Sequence, residues 1–308
     1  GQGSVLYNNG AIKSISGTFR NNTITNISNF AARASVNGGV FALYRGTNIG
    51  TINGDFTNNV ITSKYNGSGE TEYKSGGQIS AGGGAIHIEG QYGSGNATEA
   101  HIGTINGNFA NNAAVANGYA NGGAIYIKGG ADRDGQTGAD TSIDLINGNF
   151  TGNYVQATTN TTNYKKASTG GAISVKRSSG APNGAFVNVV GNFDGNYVKT
   201  NGTDAFGGAI YNEGTTQVTG NFDNNFVQSE SGAGWGGAVY NAADATFTIN
   251  GASYIRNNSA AFGGAIWNDG TLVLNNADRQ ISFYRNITTG GGGAIYNSAT
   301  GYIEKINL

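Results

Sequence analysis

No cysteine and no methionine occur in this chain of 308 residues, and it has one proline. Without cysteine there can be no disulfide, no thiolate metal site and no cysteine nucleophile. Charge is scarce as well. Asp, Glu, Lys and Arg make up 11% of the residues and the net charge is −1, where an ordinary globular chain carries about a quarter charged residues. So neutral a chain has no electrostatic footprint for nucleic acid and no basic face for a membrane surface. It has no run of about 18 apolar residues, which excludes direct membrane insertion by a helix. No segment sustains a 3.6-residue apolar period, so helices should be nearly absent.

What is abundant is glycine, with 54 copies, alongside 16 Tyr, 14 Phe and 2 Trp. Collagen needs glycine at every third position, and disorder needs few aromatics. Neither condition holds, so the glycine must serve geometry in a folded chain. The scarcity of proline agrees, because strands paired on both sides cannot spare an N–H.

Two units alternate along the whole chain. The first is Gly-Gly-Ala-Ile, clearest at Gly83–Ile86, Gly122–Ile125, Gly170–Ile173 and Gly207–Ile210, with further copies from Gly236, Gly263 and Gly292 and looser ones from Gly3 and Gly38. The second is Phe-x-x-Asn, built on Phe19, Phe56, Phe109, Phe150, Phe193, Phe222 and Phe283, with Ile255–Asn258 as a variant. The period is 27 to 29 residues in the last three intervals and reaches 48 earlier. A variable period of that size predicts one turn of a solenoid with loop insertions. The fold class expected is all-β: a right-handed, single-stranded parallel β-helix of about nine turns. At a strand spacing of about 4.8 Å that is a rod about 43 Å long. One repeat domain should span residues 1–308, loop-decorated over 1–206 and tight-turned over 207–308.

Within a turn, period-two alternation in Gly122–Lys128 puts Ile125 and Ile127 inward, and Tyr126 and Lys128 outward. In the last four turns the second inward position is Asn212, Asn241, Asn268 or Asn297, which suggests an internal asparagine ladder. A second strand, as in Ile146-Asn147-Gly148-Asn149-Phe150, should point Ile, Gly and Phe inward, with the glycine leaving room for bulk. This stacks Phe56, Phe109, Phe150, Phe193 and Phe222 in a column. The motif asparagine should mark the next corner in a left-handed conformation. A short third strand such as Tyr154–Gln156 closes a three-stranded turn.

The paired Gly-Gly-Ala-Ile and Phe-x-x-Asn repeats resemble the polymorphic membrane proteins of chlamydiae and related autotransporter passengers, over essentially the whole chain. The resemblance implies a β-helical passenger exported through an outer-membrane barrel, placed outside the cell or on the bacterial surface and used in adhesion. The chain opens inside a first-strand unit at Gly3 and stops at Leu308, where a second strand should begin. It therefore reads as part of a longer chain, or as a subunit whose copies associate end to end.

Candidate binding residues form one outward column: Tyr7, His87, Tyr126, Tyr211, Tyr240, Trp267 and Tyr296. Rings at strand spacing can stack on a glycan, pack on a partner, or stabilise one another. Asp194 and Asp223 follow the motif Phe in adjacent turns, where two carboxylates can share a cation or simply diverge into water. Asp132, Asp134 and Asp140 resemble part of a calcium loop without its later ligands. His87 and His101 are the only histidines, read as surface residues because no Ser and Asp can be assigned around them. No catalytic set and no cofactor is indicated. Insertions near 62–82, 90–101, 129–141, 157–168 and 177–186 are where recognition of a host-cell or matrix protein or a glycan would sit. An adhesin-like display rod is the leading function; a self-assembling fibre subunit and a polysaccharide-active enzyme are the alternatives.

Overall fold

The computed structural model describes residues 2–28, 34–65, 79–92, 97–130, 138–158, 167–177, 184–231, 233–251, 253–275 and 280–306. Among these the chain is all β, with no helix. Five parallel sheets run along a solenoid of about nine rungs, each strand pairing with its counterpart one turn away. One turn shows the order. Tyr119–Asn121 lies in a flank sheet and Ile125–Lys128 in the Gly-Gly-Ala-Ile sheet. Thr141–Asn147 lies in a long sheet, Phe150–Thr151 in a Phe sheet and Tyr154–Ala157 in a back sheet. The turn thus has five strands rather than three. The stretch read as one second strand bends after Asn147 and continues as a separate strand at Phe150.

The interior divides in two. Ile, Val and Phe from the Gly-Gly-Ala-Ile, long and Phe sheets fill the larger core. A thinner core of Ala and Val, including Ala120, Val155 and Val198, joins the flank and back sheets. Between them lies a waist made by the glycine pair. Gly122 turns the corner with φ 60°, a left-handed angle that glycine adopts without cost. A Cβ on Gly123 would overlap the Gly171 carbonyl oxygen and come within 2.6 Å of the Tyr154 backbone nitrogen. The waist is therefore backbone against backbone.

Rung stacking selects residues that bond to their own kind. The phenylalanines stack at ring-centroid distances of 4.7 Å for Phe56–Phe109, 4.8 Å for Phe109–Phe150, 4.9 Å for Phe150–Phe193 and 5.0 Å for Phe193–Phe222. The motif asparagines form a ladder that is fully buried from Asn59 to Asn258. Asn153 Nδ2 donates to Asn196 Oδ1 at 3.0 Å and to the Phe109 carbonyl at 2.9 Å. Its Oδ1 accepts the backbone N–H and the amide of Asn112, both at 2.9 Å. The pattern runs from Asn22 to Asn286. The left-handed residue is the one before the motif asparagine: Asn58, Asn111, Gly152, Gly195 and Asn224 have φ between 54° and 63°. A left-handed backbone turns the corner, and the next side chain can then point inward. Asn212, Asn241 and Asn268 add a second internal chain, each donating to the next at 2.7–2.8 Å and ending on Asn297. Gly148 leaves room for no side chain; its missing Cβ is where the Gly107 carbonyl approaches.

Replacing Asn153 by Ala leaves two donors of Asn112 and the Phe109 carbonyl without partners. The expected cost is about 2–3 kcal/mol in urea unfolding, whereas Asn147→Ala, on an exposed ladder, should stay within about 0.5 kcal/mol. Equal losses would show that the buried ladder is energetically ordinary. Arg285 holds the left-handed corner position with φ 55°, where other turns use Asn or Gly. Arg285→Asn should raise stability by about 0.5–1 kcal/mol, seen as a higher urea midpoint.

Candidate recognition cleft

The left-handed glycine corner folds the flank sheet back against the Gly-Gly-Ala-Ile sheet, so that their outer faces enclose a concavity along the rod. The candidate column lies on its floor. Its members Tyr7, His87, Tyr126, Tyr211, Tyr240, Trp267 and Tyr296 stack in strict register, with Ala42 and Ser174 holding the two turns that lack a ring. Alternation placed them outside the solenoid wall, and they are, but they are not a solvent-facing ladder throughout. His87 is 1% exposed, Tyr126 8% and Tyr211 7%. The surface reading of His87 is thereby overturned. The opposite wall is the residue before each glycine pair: Asn37, Gly82, Asn121, Thr169, Phe206 and Trp235.

The cleft changes character along its length. From Phe206 onward aromatic rings fill it. Tyr211 and Tyr240 stack at 5.4 Å, Tyr240 and Trp267 at 6.4 Å, and Trp267 and Tyr296 at 4.1 Å, with interplanar angles of 13°, 2° and 3°. Phe206 lies 4.6 Å from Tyr240. Their faces are turned on one another, so a ligand lying along the rod meets ring edges. The Tyr211 hydroxyl donates to Glu213, and Tyr240 donates to Asp269 at 2.7 Å. Burial first, then those carboxylates, push both hydroxyls well above the ordinary tyrosine value, so both stay protonated donors.

Before Phe206 the wall residues are small and the cleft is open, with a volume of about 460 Å³. Here His87 Nε2 meets Glu89 Oε2 at 3.2 Å, and Lys128 Nζ meets Glu89 Oε1 at 2.5 Å. Burial works to raise the Glu89 pKa, but the hydrogen bonds and charges of His87 and Lys128 outweigh it and bring it to about 2. The His87 ring sits between Tyr44 at 5.3 Å and Tyr126 at 5.1 Å, and its Nδ1 is buried with no hydrogen-bond partner. Lys176 Nζ lies 5.3 Å from the centre of the Tyr211 ring.

The other candidates do not converge on this cleft. Asp194 and Asp223 pair in register, yet neither diverges freely into water. Asn224 Nδ2 donates to Asp194 at 3.1 Å, while Arg256 Nε and Asn257 Nδ2 donate to Asp223 at 2.6 and 2.7 Å. His101 bonds Asp144 at 3.0 Å and Asn48 at 3.2 Å on the outer face of the long sheet. Asp132 and Asp134 lie outside the described residues; Asp140 accepts the Gly184 N–H at 3.0 Å. Most of the loop insertions also lie outside them. Sequence reading missed the flank wall and the Glu89 cluster. A signal existed: the residue before each glycine pair passes from Asn37, Gly82, Asn121 and Thr169 to Phe206, Trp235 and Phe262.

The Chlamydia polymorphic membrane protein (Chlamydia_PMP) repeat family matches residues 280–298. That stretch is one copy of the paired unit, joining Phe283–Asn286 to the glycine pair before Ala294. No curated protein matches the chain. No solved structure matches it either.

A depressed carboxylate contributes stability above its unfolded pKa, and loses it as pH falls through the folded value. For Glu89 that window runs from about 4.5 down to about 2. Wild type should therefore lose more melting temperature than Glu89→Gln on going from about pH 7 to about pH 2.5. Identical losses would show that the cluster does not hold the carboxylate ionised.

Proposed function

We propose that this chain is a surface-displayed recognition rod of the autotransporter-passenger kind, binding host-cell or matrix ligands without turning them over. The observation that carries this reading is the cleft itself: a concave site of mixed polar and aromatic chemistry, held by a backbone that is paired on both sides over most of its length. Sites of that shape and chemistry are where ligands bind. The polymorphic membrane protein repeat at residues 280–298 supports a place on the outer surface of a bacterium.

The carboxylates support binding over hydrolysis. Glycoside hydrolysis needs a protonated carboxylic acid opposite a second carboxylate. Glu89 is held ionised by Lys128 and His87, the reverse of what a general acid requires. Asp194 and Asp223 bond separate asparagines, and Asp223 an arginine as well, so each carboxylate is engaged by its own side-chain partners.

Beads coated with the purified chain should adhere to epithelial cells, or to surfaces bearing laminin or fibronectin, several-fold above albumin-coated beads. Adhesion no greater than albumin, together with release of reducing ends from a polysaccharide, would replace this reading with an enzymatic one.

A further inference from the structure

The open part of the cleft crosses five successive rungs of the flank sheet, from Ser35 through Ser80, Tyr119 and Ala167 to Phe206, a length of about 19 Å. Its walls combine short neutral hydroxyls and amides with aromatic rings. Ser80 Oγ donates to Ser35 Oγ at 3.1 Å. Thr169 Oγ1 donates to Asn121 Oδ1 at 2.7 Å, which leaves the Asn121 amide hydrogens for another acceptor. Serine and threonine hydroxyls both donate and accept, as sugar hydroxyls do. Tyr119 on the flank wall and Phe206 at the far end, both partly exposed, supply apolar surface for the C–H faces of a sugar ring.

We infer that this stretch of the cleft binds an uncharged oligosaccharide of about four residues lying along the rod axis, an inference that rests on the recognition-rod reading above. Charge favours a neutral ligand, because Glu89 and Lys128 already neutralise each other at 2.5 Å and Lys176, the other cation lining this stretch, lies against the Tyr211 ring. Topology disfavours a peptide strand along most of the cleft, because the floor strands and every flank strand it crosses except Ala34–Asn37, which ends its sheet, have their ladder bonds made to the turns above and below, so little edge is offered for strand addition. The occupancy of the wall then explains the extent of the site: it ends where Phe206 and Tyr211 fill the concavity.

The test is a printed array of neutral and acidic oligosaccharides, followed by titration with maltotetraose, cellotetraose and chitotetraose up to about 1 mM. Wild type should bind at least one neutral tetrasaccharide. Ser80→Trp, which fills the cleft from a partly exposed position, should weaken binding at least about tenfold, and Asn121→Ala about fivefold. Asn147→Ala, on the long sheet, should leave it unchanged. Far-UV circular dichroism confirms that each variant keeps its β-structure. No neutral saccharide bound by wild type, binding of acidic glycans alone, or equal binding by Ser80→Trp and Asn121→Ala would each overturn the inference. Bead adhesion separates the two proposals. Adhesion that persists in the cleft variants while tetrasaccharide binding is lost keeps the saccharide site and removes it from adhesion. Adhesion without any tetrasaccharide binding sinks the site and keeps the rod.

Discussion

Everything in this protein follows from the stacking of one rung on the next at the spacing of paired β-strands, about 4.8 Å. Each side chain lies on the side chain at the same place one turn away. Only residues that are good neighbours to their own kind tolerate such a column. Asparagine is the best of them in the interior, since its amide both donates and accepts and can close a fully satisfied line from Asn22 to Asn286. Phenylalanine does the same by face stacking. The scarcity of charge has the same origin, because like charges on adjacent rungs repel. Where charges do enter a column some pair with the opposite sign, as Glu89 with Lys128 and Asp223 with Arg256, while the like-charged neighbours Asp194 and Asp223 are each bonded by asparagine amides.

The glycine pair turns that uniform stack into a shaped object. Inside, Gly123 lets the backbone of the back sheet reach the corner and divides the core. Outside, the same corner folds the flank sheet over the Gly-Gly-Ala-Ile sheet and makes the cleft. One structural requirement, the close approach of three backbones, therefore builds both the waist that holds the solenoid and the concavity that can hold a ligand.

Because the backbone repeats, chemistry along the cleft is set by which residues occupy each column. Small residues such as Ser35, Ser80, Asn121 and Thr169, with Tyr119 among them, leave it open, and aromatic rings close it from Phe206 onward. The aromatic column first suggests a row of sugar-stacking platforms. Its planes lie parallel, however, and cover one another, so those rings serve as the end wall and the open segment becomes the place for a ligand.

The repeat, the all-β class, the stacked Phe residues and the inward aliphatics were legible in the sequence, because they recur at every turn and alternate with period two. Two-residue strands such as Ser168–Thr169 were not legible, since so short a segment has no period to read. Asn59 and its equivalents were recognised as corner residues, but the left-handed angle belongs to the residue before, and only the position of the next rung shows that Asn59 points inward. Alternation correctly put His87 and Tyr126 on the outer side of their strand. It says nothing about what stands opposite, and the flank sheet that buries them arrives from residues just before the glycine pair. The sequence by itself determined the rung, because a rung depends on local pattern and on likeness between neighbouring turns. The tertiary structure alone decided the cleft, because a concavity exists only where one sheet turns back on another.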